Sequence, residues 1–173
     1  MLRLIEPTTA VHSAWLDAHL DWGPGRHEDG FGLVPSDEVI SPGGFSTWVA
    51  RLLSESGLSP ARSDTGPRGI YRWIVDGDTV VGGIALRTGA HPSIPHAGHI
   101  GYGIRPSARG RGIATWALGQ ILEVAREYGI DRVLLICEDD NRASATTIQR
   151  NGGVTERSDG REGRLSRYWI ALS

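Results

Sequence analysis

The clearest pattern along the chain runs from His99 to Tyr128. Ile100, Tyr102 and Ile104 alternate with Gly101 and Gly103, the two-residue period of a short strand over residues 99–104. Pro106 ends any ladder there, because it lacks an N–H and holds Arg105 in extended geometry. Beyond the turn from Ser107 to Gly112, Ile113, Ala117, Ile121, Val124, Ala125 and Tyr128 repeat at helical spacing. Gly119, Gln120, Glu123, Arg126 and Glu127 share the other face, and Gly129 follows as a left-handed cap.

The remaining elements pattern around this unit. Residues 2–5 predict a strand, and Thr8 or Thr9 caps a helix whose apolar stripe is Val11, Ala14, Trp15 and Ala18. From Asp21 to Gly44 the pattern dissolves into glycines, prolines and acids, too long a stretch for a plain connector. Trp22, Phe31 and Phe45 are its candidate anchors. Residues 45–56 return to helical spacing through Trp48, Val49, Leu52 and Leu53, and residues 59–69 read as surface loop. Two strands, 71–75 and 79–87, flank the hairpin signal Asp76-Gly77-Asp78. Gly82-Gly83 inside the second predicts a bulge or a close neighbour. Residues 88–98 read as a loop. The run from Val133 to Ile136 is apolar on both faces, as a central strand is. Asn141 caps a helix reaching Arg150, and residues 154–157 and 164–172 predict a closing strand pair. The order β-α-α-β-β-β-α-β-α-β-β is a mixed α/β plan, read as one domain over residues 1–173.

Composition narrows the class. A chain of 173 residues can bury one sizeable core, and a net charge of −2 leaves no electrostatic footprint for nucleic acid or an anionic membrane. No apolar run is long enough to span a bilayer, and no basic-then-apolar leader opens the chain. The lone Cys137 allows no internal disulfide, which suits a reducing cytoplasm. Every basic residue is arginine, a codon-usage sign of a GC-rich bacterial genome. His91 and His96 have no Cys or carboxylate beside them, so they read as solvated loop histidines and no metal is expected.

Strand, glycine turn and helix together aim several backbone N–H groups at one spot, with the helix's partial positive charge behind them. A phosphate or pyrophosphate is the natural occupant. Gly110 and Gly112 let the backbone approach an anion, and Arg109 and Arg111 add charge. A P-loop needs a lysine, which the chain lacks, and a dinucleotide fingerprint needs a glycine where Thr115 stands. The stretch Arg109-Gly110-Arg111-Gly112-Ile113-Ala114 instead resembles motif A of the GNAT superfamily of N-acetyltransferases. Gly-Tyr-x-Ile-x-Pro before it, and Asn141-Arg142-Ala143-Ser144 with Arg150-Asn151-Gly152-Gly153 after it, extend the resemblance over residues 70–170. The strand before motif A is similar to that of the branch acting on protein N-termini, including those of ribosomal proteins, which often has Glu where His99 stands.

The resemblance implies an α/β fold with a mixed, mostly antiparallel sheet, splayed central strands and flanking helices. It implies acetyl-CoA as co-substrate and no metal. Tyr102, Gly103 and Ile104 would pair with the pantetheine arm, a bulge at Gly101 or Gly103 would open its slot, and an N–H near Gly103 or Ile104 would face the thioester oxygen. Arg109, Gly110, Arg111, Gly112, Ile113, Ala114 and Thr115 would hold the pyrophosphate, with Asn141 and Ser144 against the arm. Ile148 departs from the pattern, since many members have there a tyrosine that protonates the leaving thiolate. His99 is the first candidate for the base and Glu138 the second. The expected activity is acetyl transfer to a primary amine by direct attack in a ternary complex, with a non-catalytic acetyl-CoA-binding or sensing domain as the alternative. The expected acceptor is a small-molecule amine or a peptide N-terminus, and no nucleic acid or membrane. Asp21, Glu28, Asp29, Asp37 and Glu38, with Glu138 to Asp140, favour a cationic acceptor. A homodimer is compatible with all of this.

Overall fold

The structure, a computed structural model, describes residues 1–23, 30–57, 66–156 and 164–172. In order these form β1 (Leu2–Ile5), α1 (His12–Trp22), α2 (Pro42–Ser56), β2 (Arg68–Asp76), β3 (Thr79–Thr88) and α3 (Ile94–Ala97). Then come β4 (Ile100–Ile104), α4 (Ile113–Glu127), β5 (Arg132–Glu138), α5 (Arg142–Arg150), β6 (Val154–Thr155) and β7 (Leu165–Ala171). The order is the one the pattern predicts, with α3 added inside the histidine loop. Antiparallel ladders join β1-β2-β3-β4 in one sheet and β5-β7-β6 in another.

Local chemistry sets the boundaries. The Thr8 hydroxyl accepts the Ala10 N–H and opens a 3-10 turn that runs into α1. α2 begins at Pro42, earlier than its apolar spacing suggests, because Ser41 caps the Gly44 N–H and a proline at the first position forfeits no hydrogen bond. Much of the expected 59–69 loop, and the end of the expected strand at 157, lie outside the described residues. Gly82-Gly83 proves to mark both a bulge and a close approach. Ile74 pairs with Gly82 and Val75 with Val80, which leaves Val81 as the extra residue. A Cβ on Gly82 would lie 2.4 Å from the Gly103 carbonyl oxygen. By contrast β4 pairs with β3 without a break, from Leu86↔Ile100 to Gly82↔Ile104. The bulge expected at Gly101 or Gly103 is therefore absent, and the irregularity sits in β3 instead.

Two cores cover the two faces of the first sheet. α1 and α2 bury Trp15, Phe45 and Trp48 against Trp73 on one face, and Phe31 joins them from the stretch after α1. Trp48 and Trp73 stack with centroids 5.5 Å apart. On the other face α4 buries Ile113, Ala117, Leu118 and Ile121 with Ile84, Leu86 and Ile104, and also with Val133, Leu135 and Ile170 of the second sheet. Each of the leucine, isoleucine and valine side chains contributes about 1.5–3 kcal/mol by leaving water. α4 thus packs on both sheets. The sheets themselves meet at an isolated bridge between Gly98 and Leu135, beyond which β4 and β5 share no ladder.

Candidate functional site

The cleft between β4 and β5 opens into a cavity of about 940 Å³, walled by β4, the loop and helix end from Ala108 to Thr115, the end of β5, and α5. That size suits a ligand larger than a metabolite fragment. Arg87 donates its N–H to the His99 carbonyl, and Arg105 donates to that of Val81. Alternation between these two bonds turns Gly101 and Gly103 toward β3 and the N–H groups of Tyr102 and Ile104 toward the cleft. Of the two N–H groups expected near a thioester oxygen, the one on Gly103 is therefore spent, and the one on Ile104 is available.

At the outer end Gly110 and Gly112 have φ of +75° and +74°, and a Cβ on either would meet nothing within 4 Å. They serve backbone direction and open space above it, not packing. Gly112 starts α4, and the Trp116 N–H bonds its carbonyl at 3.0 Å. The N–H groups of Ile113, Ala114 and Thr115 precede that bond at the helix end. Arg109 lines the cavity, with its Nε 2.9 Å from the Ile104 carbonyl oxygen. Arg111 does not line it, because its guanidinium turns to Asp76 at 3.2 Å. Arg142 and Arg150, at the two ends of α5, line the cavity instead. The sequence held them only as flanks of the second motif.

On the α5 wall Asn141 accepts the Ser144 N–H at 3.0 Å and caps the helix. The Ser144 hydroxyl meets the Tyr102 hydroxyl at 2.8 Å, so the phenol leans across from β4 onto α5. Burial pushes that phenol up to about 12, with hydrogen bonds from Ser144 and Thr147 opposing. Cys137 shares the wall, and burial raises its thiol against a hydrogen bond with Ser144. Ile148 is 1% exposed, packed so closely that a Cβ on Gly153 would lie 2.3 Å from its Cγ2.

The candidate bases separate. His99 is not on the cavity wall. Its Nδ1 accepts the Leu134 N–H at 2.9 Å, so the neutral ring carries its proton on Nε2 and has no lone pair left for an amine. Burial, with Arg87 nearby, holds the imidazole below the usual histidine range. The expectation of a base at His99 gives way to a tie between the sheets. Glu138 ends β5 at the cavity mouth, exposed, with Leu165 beside it. Trp22 and His96 complete that wall, and His96 had read as a solvated loop residue. Arg87 lies over Gly101, 3.5 Å from where a Cβ would stand, and donates to the Gly98 carbonyl.

The acids expected to attract a cationic acceptor are mostly spent on the fold. Asp21 accepts Arg105 Nε at 2.9 Å, together with the Ser107 N–H and hydroxyl, which hold its carboxyl at about 2. Asp37 pairs with Arg51 at 2.6 Å, and Glu38 accepts the N–H groups of Ile40 and Ser41. Glu28 and Asp29 lie outside the described residues. Among the described residues no group of three or more His, Cys, Asp or Glu could hold a metal, and no helix is long and apolar enough to cross a membrane.

The family model described as an acetyltransferase (GNAT) domain matches residues 33–154. No match to the chain is found among curated proteins. Among solved structures, RimL, a ribosomal L7/L12 alpha-N-protein acetyltransferase in complex with coenzyme A, matches with a TM-score of 0.67 at 20% identity, over 98% of this chain and 93% of that one. An acetyltransferase from Salmonella typhimurium that modifies the N-terminal serine of ribosomal protein L7/L12 gives 0.65 at 18%, over 99% and 95%. The microcin C7 self-immunity acetyltransferase MccE, in complex with acetyl-CoA and AMP, gives 0.65 at 14%, over 98% and 92%. At these identities the likeness shows a shared fold.

Proposed function

The chain belongs to the GNAT acetyltransferases, and from that premise we propose that it moves the acetyl group of acetyl-CoA to a primary amine by direct attack in a ternary complex. The observation that carries this reading is the cleft, with the N–H groups of Tyr102 and Ile104 along one edge and the glycine-rich start of α4 at its outer end. The pantetheine arm pairs along β4 as an added strand would. The pyrophosphate takes the N–H groups from Gly110 to Thr115, where the helix dipole favours an anion. The Ile104 N–H faces the thioester oxygen, on which negative charge develops as the amine adds. Asn141 and Ser144 flank the arm, while Arg109, Arg142 and Arg150 bring charge toward the phosphates. Glu138 takes the proton from the amine, directly or through one water.

The acceptor is a small-molecule amine or a peptide N-terminus, entering by Trp22, Arg87 and His96. Two of the fold relatives act on protein N-termini, one as an L7/L12 alpha-N-protein acetyltransferase and one on the N-terminal serine of L7/L12. The test is release of free thiol from acetyl-CoA against a panel of amines and short peptides, with amine-dependent release expected. A second reading, a domain that binds acetyl-CoA without turnover, is favoured by the buried Ile148. Binding by calorimetry with no thiol release from any acceptor would decide for it.

A further inference from the structure

With the isoleucine Ile148 on its cavity side, α5 offers no phenol of its own to the cavity. The phenol that reaches α5 comes from the other side of the cleft. Tyr102 stands on β4 between two residues buried in the α4 core, Ile100 and Ile104, so strand alternation sends its side chain toward α4 and α5. Its hydroxyl ends 2.8 Å from Ser144 Oγ, one helical turn before Ile148. Tyr102, Ser144, Thr147 and Cys137 all line the cavity. Cys137 stands on the same wall, where burial raises its thiol and Ser144 opposes that shift.

We propose that Tyr102 is the proton donor to the departing thiolate, with Ser144 as the positioning residue that holds the phenol against α5. The proposal rests on the acetyl-transfer reading of the same cavity. As the tetrahedral adduct collapses, the C–S bond breaks and its electron pair passes to sulfur. Sulfur takes the phenolic proton, and the resulting phenolate accepts a hydrogen bond from Ser144. Water returns a proton to Tyr102, balancing the one the amine gave up to Glu138. The phenol stays protonated at any working pH, since burial holds it at about 12. Desolvation in the same wall also raises a thiol, as it does at Cys137, which favours the proton on sulfur. The groups facing the phenol are Ser144 and Thr147 from α5 and Cys137 from β5, with the carboxylates of Glu138 and Asp139 acting on that cysteine.

The experiment measures acetyl transfer and acetyl-CoA affinity for Tyr102→Phe, Ser144→Ala and Ser144→Thr beside the unaltered protein. The expected result for Tyr102→Phe is a fall in kcat of about a hundredfold with acetyl-CoA affinity within twofold, the scale of a lost general acid. Ser144→Ala should lower kcat less, and Ser144→Thr should restore it. A tie that only braces the cleft would lower the melting temperature and leave kcat alone, which would overturn the assignment. So would loss of turnover in Cys137→Ala with Tyr102→Phe unaffected. If the unaltered protein binds acetyl-CoA but acetylates no amine, the acetyl-transfer reading fails and this proposal falls with it. A loss confined to the Tyr102 variant leaves that reading standing.

Discussion

His99 and Leu134 are bonded twice: the His99 N–H donates to the Leu134 carbonyl at 2.7 Å, and the Leu134 N–H donates to His99 Nδ1 at 2.9 Å. This reciprocal pair sits where the two sheets touch, at the closed end of the cleft. His99→Ala should therefore cost stability more than chemistry. It leaves a half-buried N–H without its partner, a loss of about 1–3 kcal/mol. Denaturant titration should show that loss, while the pH–rate profile keeps its shape. A variant of normal stability that has lost turnover and the acidic limb of that profile would return the imidazole to the reaction.

The same pair has a pH signature. The folded imidazole titrates below the unfolded one, because of burial and then Arg87. As pH falls below about 6.5 the unfolded chain takes up this proton first, so stability is present above that pH and declines below it. His99→Ala should flatten part of the decline. His91, also lowered by burial, contributes to the decline that remains.

Gly112→Val should weaken acetyl-CoA binding at least tenfold, or about 1.4 kcal/mol. At φ of +74° a branched residue is strained, and its side chain would occupy the open space where the anion approaches. Calorimetry on a variant shown to be folded by circular dichroism measures this. Unchanged affinity would remove the turn from the cofactor site.

What the sequence made legible was what repeats locally. The period of α4, its cap at Gly129 and the hairpin at Gly77 each follow from a few consecutive residues, and the structure has all three. Partner choice across the fold was not legible. Arg111 carries the right charge in the right motif, yet its guanidinium finds Asp76, 35 residues earlier. Asp21 reads as a free acid of a lid until Arg105, 84 residues on, claims it. For His99, alternation supplies a face but not the Leu134 N–H that occupies its ring nitrogen. Each of these depends on a bond between elements distant in the chain, which no spacing rule encodes. Tyr102 is intermediate: its place beside the cleft was readable, and its reach to Ser144 was not.

The Arg105–Asp21 contact joins the end of α1 to the turn leading into the glycine-rich loop before α4. Asp21→Asn should lower the melting temperature at neutral pH. The carboxyl is depressed to about 2 by hydrogen bonds from Arg105 and Ser107, so its contribution is present above the unfolded pKa near 4 and is lost as pH falls toward 2. The gap between variant and unaltered protein should close over that window. A constant gap from pH 7 to pH 2 would show that the charge is immaterial there.

On the proposed reading Glu138 takes the proton from the amine. It ends β5 on the cavity wall, where the strand leaves the sheet, and its exposure lets a water stand between carboxylate and substrate. Glu138→Gln keeps shape and hydrogen bonding but cannot accept the proton. Turnover should fall about a hundredfold or more, and acetyl-CoA affinity should hold, since no cofactor contact is assigned to this side chain. Raising the pH should recover part of the loss, because more of the amine then arrives already neutral. Loss of affinity in parallel with turnover would place Glu138 in binding. An unchanged rate would leave the base to solvent, with His96 the next ionisable side chain on that wall.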